Sequence, residues 1–234
     1  MPDATIAATR VAARAAAATL VGLVVSGPAG VFVVNAVHPQ PAWEGAEAFA
    51  RSFHPLQTLP FLAGFILVGG WVVLIAALHV LAPAEQRART AAAAALSAAF
   101  AALVFLNYIC QTIFVPELVR GYTIDKGRAI AALSMANPAS LGWAIEMVAY
   151  GLLGVATWLV APVFSGTRLE RATGWLYVAN GAVSVATATW TVADPGWVLT
   201  PPGFPAYVVW NVLVLAMAIL TIVSLRRRAA GQRA

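Results

Sequence analysis

The sequence predicts an all-α polytopic membrane protein: one domain over residues 1–234, a bundle of six transmembrane helices with both termini cytoplasmic. Three observations predict it. Hydrophobic residues make up 61% of the 234 positions against 10% charged, with a mean hydropathy of +0.82, which is a membrane composition. Six apolar runs reach the roughly 20 residues needed to cross a hydrocarbon core. The basic residues fall between those runs rather than along a soluble face, so the net charge of +5 is a topology signal and no nucleic-acid partner is expected.

The first run, about 15–37, has Arg10 and Arg14 ahead of it in the manner of a signal peptide. Its apolar stretch continues past SGPAG to Val37, which favours an uncleaved span. Pro28 is expected to kink this helix. Ala18, Gly22, Ser26 and Gly30 recur every four residues, forming a small-residue packing face usable within the chain or in a homodimer. The second and third runs cover about 58–82 and 90–115. The fourth, about 139–163, begins after Pro138, and the sixth, about 204–225, follows PPG with Pro205 in its first turn; proline is tolerated there. The fifth covers about 172–193, and ADPGW at 193–197 is a turn. Two longer connections precede spans two and four, and the second is expected to hold a short amphipathic helix near 126–136.

Orientation follows from the arginines. With cytoplasmic termini, the inner segments carry Arg10, Arg14, Arg87, Arg89, Arg168, Arg171, Arg226, Arg227, Arg228 and Arg233, and the outer loops carry Arg51, Arg120, Lys126 and Arg128. Ten against four, out of the fourteen present, places the termini inside. The expected location is the inner, cytoplasmic membrane of a bacterium.

Only one carboxylate falls within a span. Glu146, in GWAIEMVAYG, sits about two turns below the outer end of span four. Gly142, Glu146, Tyr150 and Gly154 share one face of that helix, which puts Tyr150 within reach of the carboxyl and lets a neighbouring helix approach over the glycines. Span five carries Thr173, Tyr177, Asn180, Ser184, Thr187, Thr191 and Asp194 at alternating spacings of four and three, all on one face. Trp175, Val178, Ala182 and Val185 lie on the others. Asn107, Tyr108 and Gln111 in span three, and Tyr207 and Asn211 in span six, place further polar groups in the same outer half.

Such a stripe of Ser, Thr and Asn also serves simply to bind helices together. A carboxyl within a span is costly and marks function by default, but a protonated Glu146 bonded to Tyr150, Asn180 or Gln111 would equally fix packing. Three functions fit. One is the binding of a membrane lipid or small hydrophobic ligand, with Asn107, Gln111, Trp143, Asn180, Ser184 and Asn211 as lining. Another is a membrane-embedded enzyme acting on an isoprenoid or lipidic substrate, with Glu146 as general acid or base, Tyr150 beside it and Asp194 as a second carboxylate. The third is a proton-coupled small transporter.

No cofactor is expected. Cys110 is the only cysteine, and no Walker, dinucleotide, nucleophile-elbow or zinc-protease motif occurs. His38, Glu44, Glu47 and His54 lack the spacing of a compact metal site, so no metal is expected. Trp43, Trp143, Trp190, Trp197 and Trp210 fall near the outer boundary, where indoles anchor membrane proteins; the alternative reading is an aromatic-walled pocket for a hydrophobic cation or isoprenoid.

The segments HPLQTLPFLAGF, FLNYICQTIFVP and MANPASLGWAIEMVAYGLLGVATWLVAPVF together resemble a group of small bacterial six-span integral membrane proteins with no assigned activity. That resemblance implies a fold and a compartment but no chemistry. WAIE is also similar, as an analogy only, to the aromatic-plus-glutamate segment of integral-membrane terpene cyclases. Here the spacing differs and the pair lies in span four rather than an early one.

Overall fold

The computed structural model describes residues 2–231, so Arg233, counted above among the inner arginines, lies outside the described residues. Helix accounts for 85% of the chain and there is no strand among the described residues. The elements are α1 (Pro2–Ser26), α2 (Pro28–Val37), α3 (Ala46–Ser52), α4 (Leu59–Leu81), α5 (Arg87–Ile109), α6 (Val115–Arg120), α7 (Ile124–Leu133), α8 (Leu141–Val160), α9 (Arg168–Ala193) and α10 (Gly203–Gly231).

Five stretches are long and apolar enough to cross a membrane: Thr5–Val37, Pro55–Leu81, Ala84–Arg120, Leu141–Val163 and Gly203–Gly231. They extend past the predicted runs at several ends, because alanine and arginine continue a helix readily beyond its apolar part. The remaining run, the fifth at about 172–193, forms α9, whose 26 residues would span about 39 Å. It falls short in apolarity because its first turn holds Arg168, Glu170 and Arg171 and its inner face holds the predicted polar stripe.

The long helices close into a ring in the order α1, α4, α5, α8, α9, α10 and back to α1. Small residues set the close approaches. Gly22 packs directly on the backbone of Leu67, and a Cβ at Gly70 would stand 2.8 Å from the Thr19 nitrogen. The small-residue face of α1 is therefore spent inside the chain against α4, and a homodimer through it would require that contact to open. Across the ring, a Cβ on Gly154 would stand 2.9 Å from the Gly181 carbonyl and a Cβ on Gly181 2.7 Å from that of Gly154. Helices α8 and α9 thus cross at a glycine pair. The expected break at Pro28 is present: Gly27 leaves helical geometry (φ −98°, ψ −111°) and α2 starts on the proline.

The two ends of the ring differ. One gathers Arg87 and Arg89 at the start of α5, Arg168 and Arg171 at the start of α9, and Arg226 to Arg228 near the end of α10. Here Glu170 forms an ion pair with Arg228, accepts from the Thr167 N–H at 2.9 Å, and closes a capping box at the start of α9. Arg228 also donates to the Val163 carbonyl at 2.7 Å and stands over the Phe164 ring, 5.5 Å from its centroid. Burial alone would raise the Glu170 carboxyl, but the Arg228 and Thr167 hydrogen bonds and the Arg228 charge outweigh it and hold the group below its ordinary value.

The other end is rich in structure. Helices α3, α6 and α7 stand over the ring and share a small core of Phe49, Val115, Ile130 and Ala136, with Trp43, Phe53 and Tyr122 against it. Helix α7 is the short helix expected near 126–136, two residues earlier, capped by the Thr123 hydroxyl accepting from the Lys126 N–H.

Candidate functional site: an aromatic cavity with one carboxylate

Beneath this roof lies a cavity of about 740 Å³, within the usual size of ligand pockets. Its walls come from α1, α2, α4, α5, α8 and α10, with Thr187 of α9. Its roof comes from 40–43, from Phe49 and Phe53, from 134–138 and from the turn at 197–199. Ten of its lining side chains are aromatic, and Glu146 is the one ionisable acid or base besides tyrosine among them.

The orientation of every polar group around Glu146 can be derived from the backbone of the roof. The Met135 N–H donates to Gln111 Oε1 at 3.1 Å, and Gln111 Nε2 donates to the Leu133 carbonyl at 2.9 Å. These two bonds leave the Gln111 amide one orientation. Its Nε2 then also donates to Asn107 Oδ1 at 3.1 Å, which turns Asn107 Nδ2 toward Glu146 Oε2 at 2.8 Å. Tyr108 donates its hydroxyl to Oε1 at 3.1 Å. The carboxyl is therefore met by an obligate donor on one oxygen and a reversible hydroxyl on the other, and by no cation.

Local structure brings these groups together. Asn107, Tyr108 and Gln111 surround the point where α5 passes into a π-helical turn, Cys110–Phe114. The wider turn re-aims the side chains that follow it, a device frequent at functional sites. On α8, a Cβ at Gly142 would stand 2.7 Å from the Leu133 carbonyl and 3.1 Å from Asn107 Oδ1. The glycine one turn above Glu146 thus admits the roof. Trp143 Nε1 donates to the Met135 carbonyl at 2.8 Å and locks the same segment from the other side.

The opposite wall is aromatic. Tyr150 meets Trp210 edge-on with centroids 5.0 Å apart, and Tyr207 and Asn211 of α10 continue it. Asn211 Nδ2 donates to the Tyr207 carbonyl at 2.9 Å. Its Oδ1 is buried with no partner among the described residues and faces the break at Gly27, where a Cβ would stand 2.7 Å away.

Of the residues singled out from sequence, Asn107, Gln111 and Glu146 form one bonded chain, and Trp143, Tyr150 and Asn211 line the same cavity. The hydroxyl bonded to Glu146 belongs to Tyr108, which reaches across from α5, rather than to Tyr150 on its own helix. Asn180 and Ser184 do not line the cavity. Gly154 brings α9 so close that its Cβ position would lie 2.9 Å from Ser184 Cβ, and both side chains are sealed in the bundle without hydrogen-bond partners among the described residues. Elsewhere the α9 stripe joins helices: Thr173 bonds Ser224 at 3.1 Å and Tyr177 bonds Thr221 at 3.2 Å. Asp194 is exposed at the end of α9, where its Oδ1 accepts from the Gly196 N–H at 3.1 Å. It is not on the cavity wall, so no second carboxylate stands beside Glu146 there.

The tryptophans depart most from expectation. Trp43, Trp143, Trp197 and Trp210 turn into the cavity, and of the five only Trp190 is exposed, stacked on Trp197 at 4.6 Å. Position along a span does not say which side of the helix an indole takes. The roof, which supplies or covers most of these residues, has no signature in the apolar runs.

Comparison with family models, with curated proteins and with solved structures finds no match to this chain.

Proposed function

We propose that the protein is a six-span inner-membrane protein, with both termini cytoplasmic, that holds a lipid or small hydrophobic ligand in a cavity at its outer end. The observation that carries this reading is the cavity itself: about 740 Å³, walled largely by aromatic groups, with a single carboxylate. Helix α9, the fifth in chain order, completes the six spans in this reading. Its length suffices, it closes the ring between α8 and α10, and it turns Thr173, Tyr177, Asn180 and Ser184 inward while presenting Trp175 to the surroundings at 71% exposure.

Placing the arginine-rich end inside makes the roofed end extracytoplasmic, so that a ligand reaches the cavity from the outer leaflet or the space above it. In Cys110→Ala protein, single cysteines at Arg168 and Asp125 test the orientation. An impermeant maleimide applied to intact cells should label position 125 and spare position 168, and the reverse pattern would invert the topology.

Ligand binding is favoured over catalysis because Glu146 stands alone, without the second carboxylate that an acid and base pair would use. Native mass spectrometry of full-length protein released gently from membranes tests this reading. The expected result is a retained small molecule or lipid, diminished when Ala206→Trp crowds the cavity wall. A bare mass from both proteins would remove the reading.

A further inference from the structure

We infer that the cavity selects amphiphilic cations: molecules with an ammonium head and a hydrocarbon or aromatic body. This deepens the ligand-binding reading and rests on it. No Lys, Arg or His stands among the lining residues, and no salt bridge to Glu146 occurs among the described residues. The negative charge of an ionised Glu146 is therefore uncompensated by the protein, and a buried ion of that kind calls for a partner.

The surroundings fit a cation and disfavour an anion. Tyr108, Trp143, Tyr150, Tyr207 and Trp210 line the cavity that contains the carboxylate, and aromatic rings attract ammonium groups most strongly where water is excluded. An anionic head would meet the carboxylate with no basic side chain to hold it. Asn211 also contributes to the wall, but its unpartnered Oδ1 is buried against the break at Gly27, so the selection falls to Glu146 and the aromatic side chains.

The test uses the full-length protein in nanodiscs of neutral phosphatidylcholine with four probes of equal chain length: dodecylammonium, dodecyltrimethylammonium, dodecanol and dodecanoate. Quenching of tryptophan fluorescence reports occupancy, corrected against empty nanodiscs. Both cations should bind at least about tenfold more tightly than dodecanol, with dodecanoate weakest. Glu146→Gln should abolish that preference, bringing the two cations to the affinity of dodecanol.

Equal binding of dodecanol and the cations by wild-type protein, or tighter binding of dodecanoate, overturns the inference and leaves the ligand-binding reading standing. Binding of none of the four overturns both. The wild-type series decides the matter even where the Gln variant does not fold.

Discussion

Two glutamates in this protein are buried to the same degree, each 7% exposed, and their surroundings are opposite. Glu170, at the arginine-rich end, has a guanidinium, a backbone N–H and a helix start to satisfy it. Glu146, at the roofed end, has an amide and a phenol, no cation, and a cavity beside it. Burial alone therefore does not distinguish a structural carboxylate from an available one; the charge of its partners and the space next to it do. Arg228 completes Glu170 with groups of the chain, whereas the network at Glu146 is complete in hydrogen bonds and incomplete in charge.

That contrast can be broken most strongly at Arg228. Its removal leaves Glu170 with only backbone donors and deletes the bond to the Val163 carbonyl. Arg228→Ala should cost about 2–3 kcal/mol, less than for a fully buried pair because the guanidinium is partly exposed. Thermal unfolding in a mild detergent measures it. Lysine should restore only part of the loss, since it cannot both pair with Glu170 and stack on Phe164 as a planar fork does.

The same pair has a pH signature. The folded Glu170 carboxyl lies below its ordinary value, so its contribution is complete above the unfolded value of about 4.3 and drains away as pH falls through the lowered folded value. The thermal midpoint of the wild type should fall in that acid window. Loss of this acid-dependent component in Arg228→Ala would attribute it to the pair.

At the roofed end, hydrogen bonds rather than charge should decide stability. Gln111→Leu strands the Met135 N–H and the Leu133 carbonyl, a cost of about 1–3 kcal/mol. It should also speed proteolysis of the 133–138 segment before the bundle itself unfolds. Glu146→Leu strands the Asn107 amide and should cost a similar amount. Glu146→Gln should cost least, under about 1 kcal/mol, because its carbonyl can accept from Asn107 and its NH₂ can donate to Tyr108, whose hydroxyl reverses. A loss for Glu146→Gln as large as that for Arg228→Ala would mean that the Glu146 charge is structural after all, and the contrast between the two sites would collapse.

Much of this arrangement is legible in the sequence because helical spacing is regular. The four-residue intervals of Gly142, Glu146, Tyr150 and Gly154 identify the face of α8 that meets α5, α9 and the cavity. The polar stripe of α9 likewise identifies its buried face. What spacing cannot reveal is which helix supplies a partner. Tyr108 displaces Tyr150 as the hydroxyl bonded to Glu146 because it comes from the neighbouring helix α5, and the π-helical turn after it, which places Gln111, leaves no mark in the residue pattern.

Nor does the pattern distinguish an interfacial indole from one lining a cavity, as Trp197 and Trp210 illustrate. The pairing of Glu170 with Arg228, 58 residues apart, is equally invisible without the ring order. The close helix approach that Gly154 announces in sequence, met in the structure by Gly181 of α9, is what removes Asn180 and Ser184 from the cavity.

The most direct measurement is an experimental structure of the wild-type protein in a lipid nanodisc, at a resolution that separates side chains from bound molecules. Continuous density is expected for an amphiphile in the cavity between Trp143 and Trp210, with its polar head against Glu146. Aromatic side chains collapsed onto Glu146 with no space for a ligand, or a basic side chain of the protein turned in to pair with that carboxylate, would contradict it.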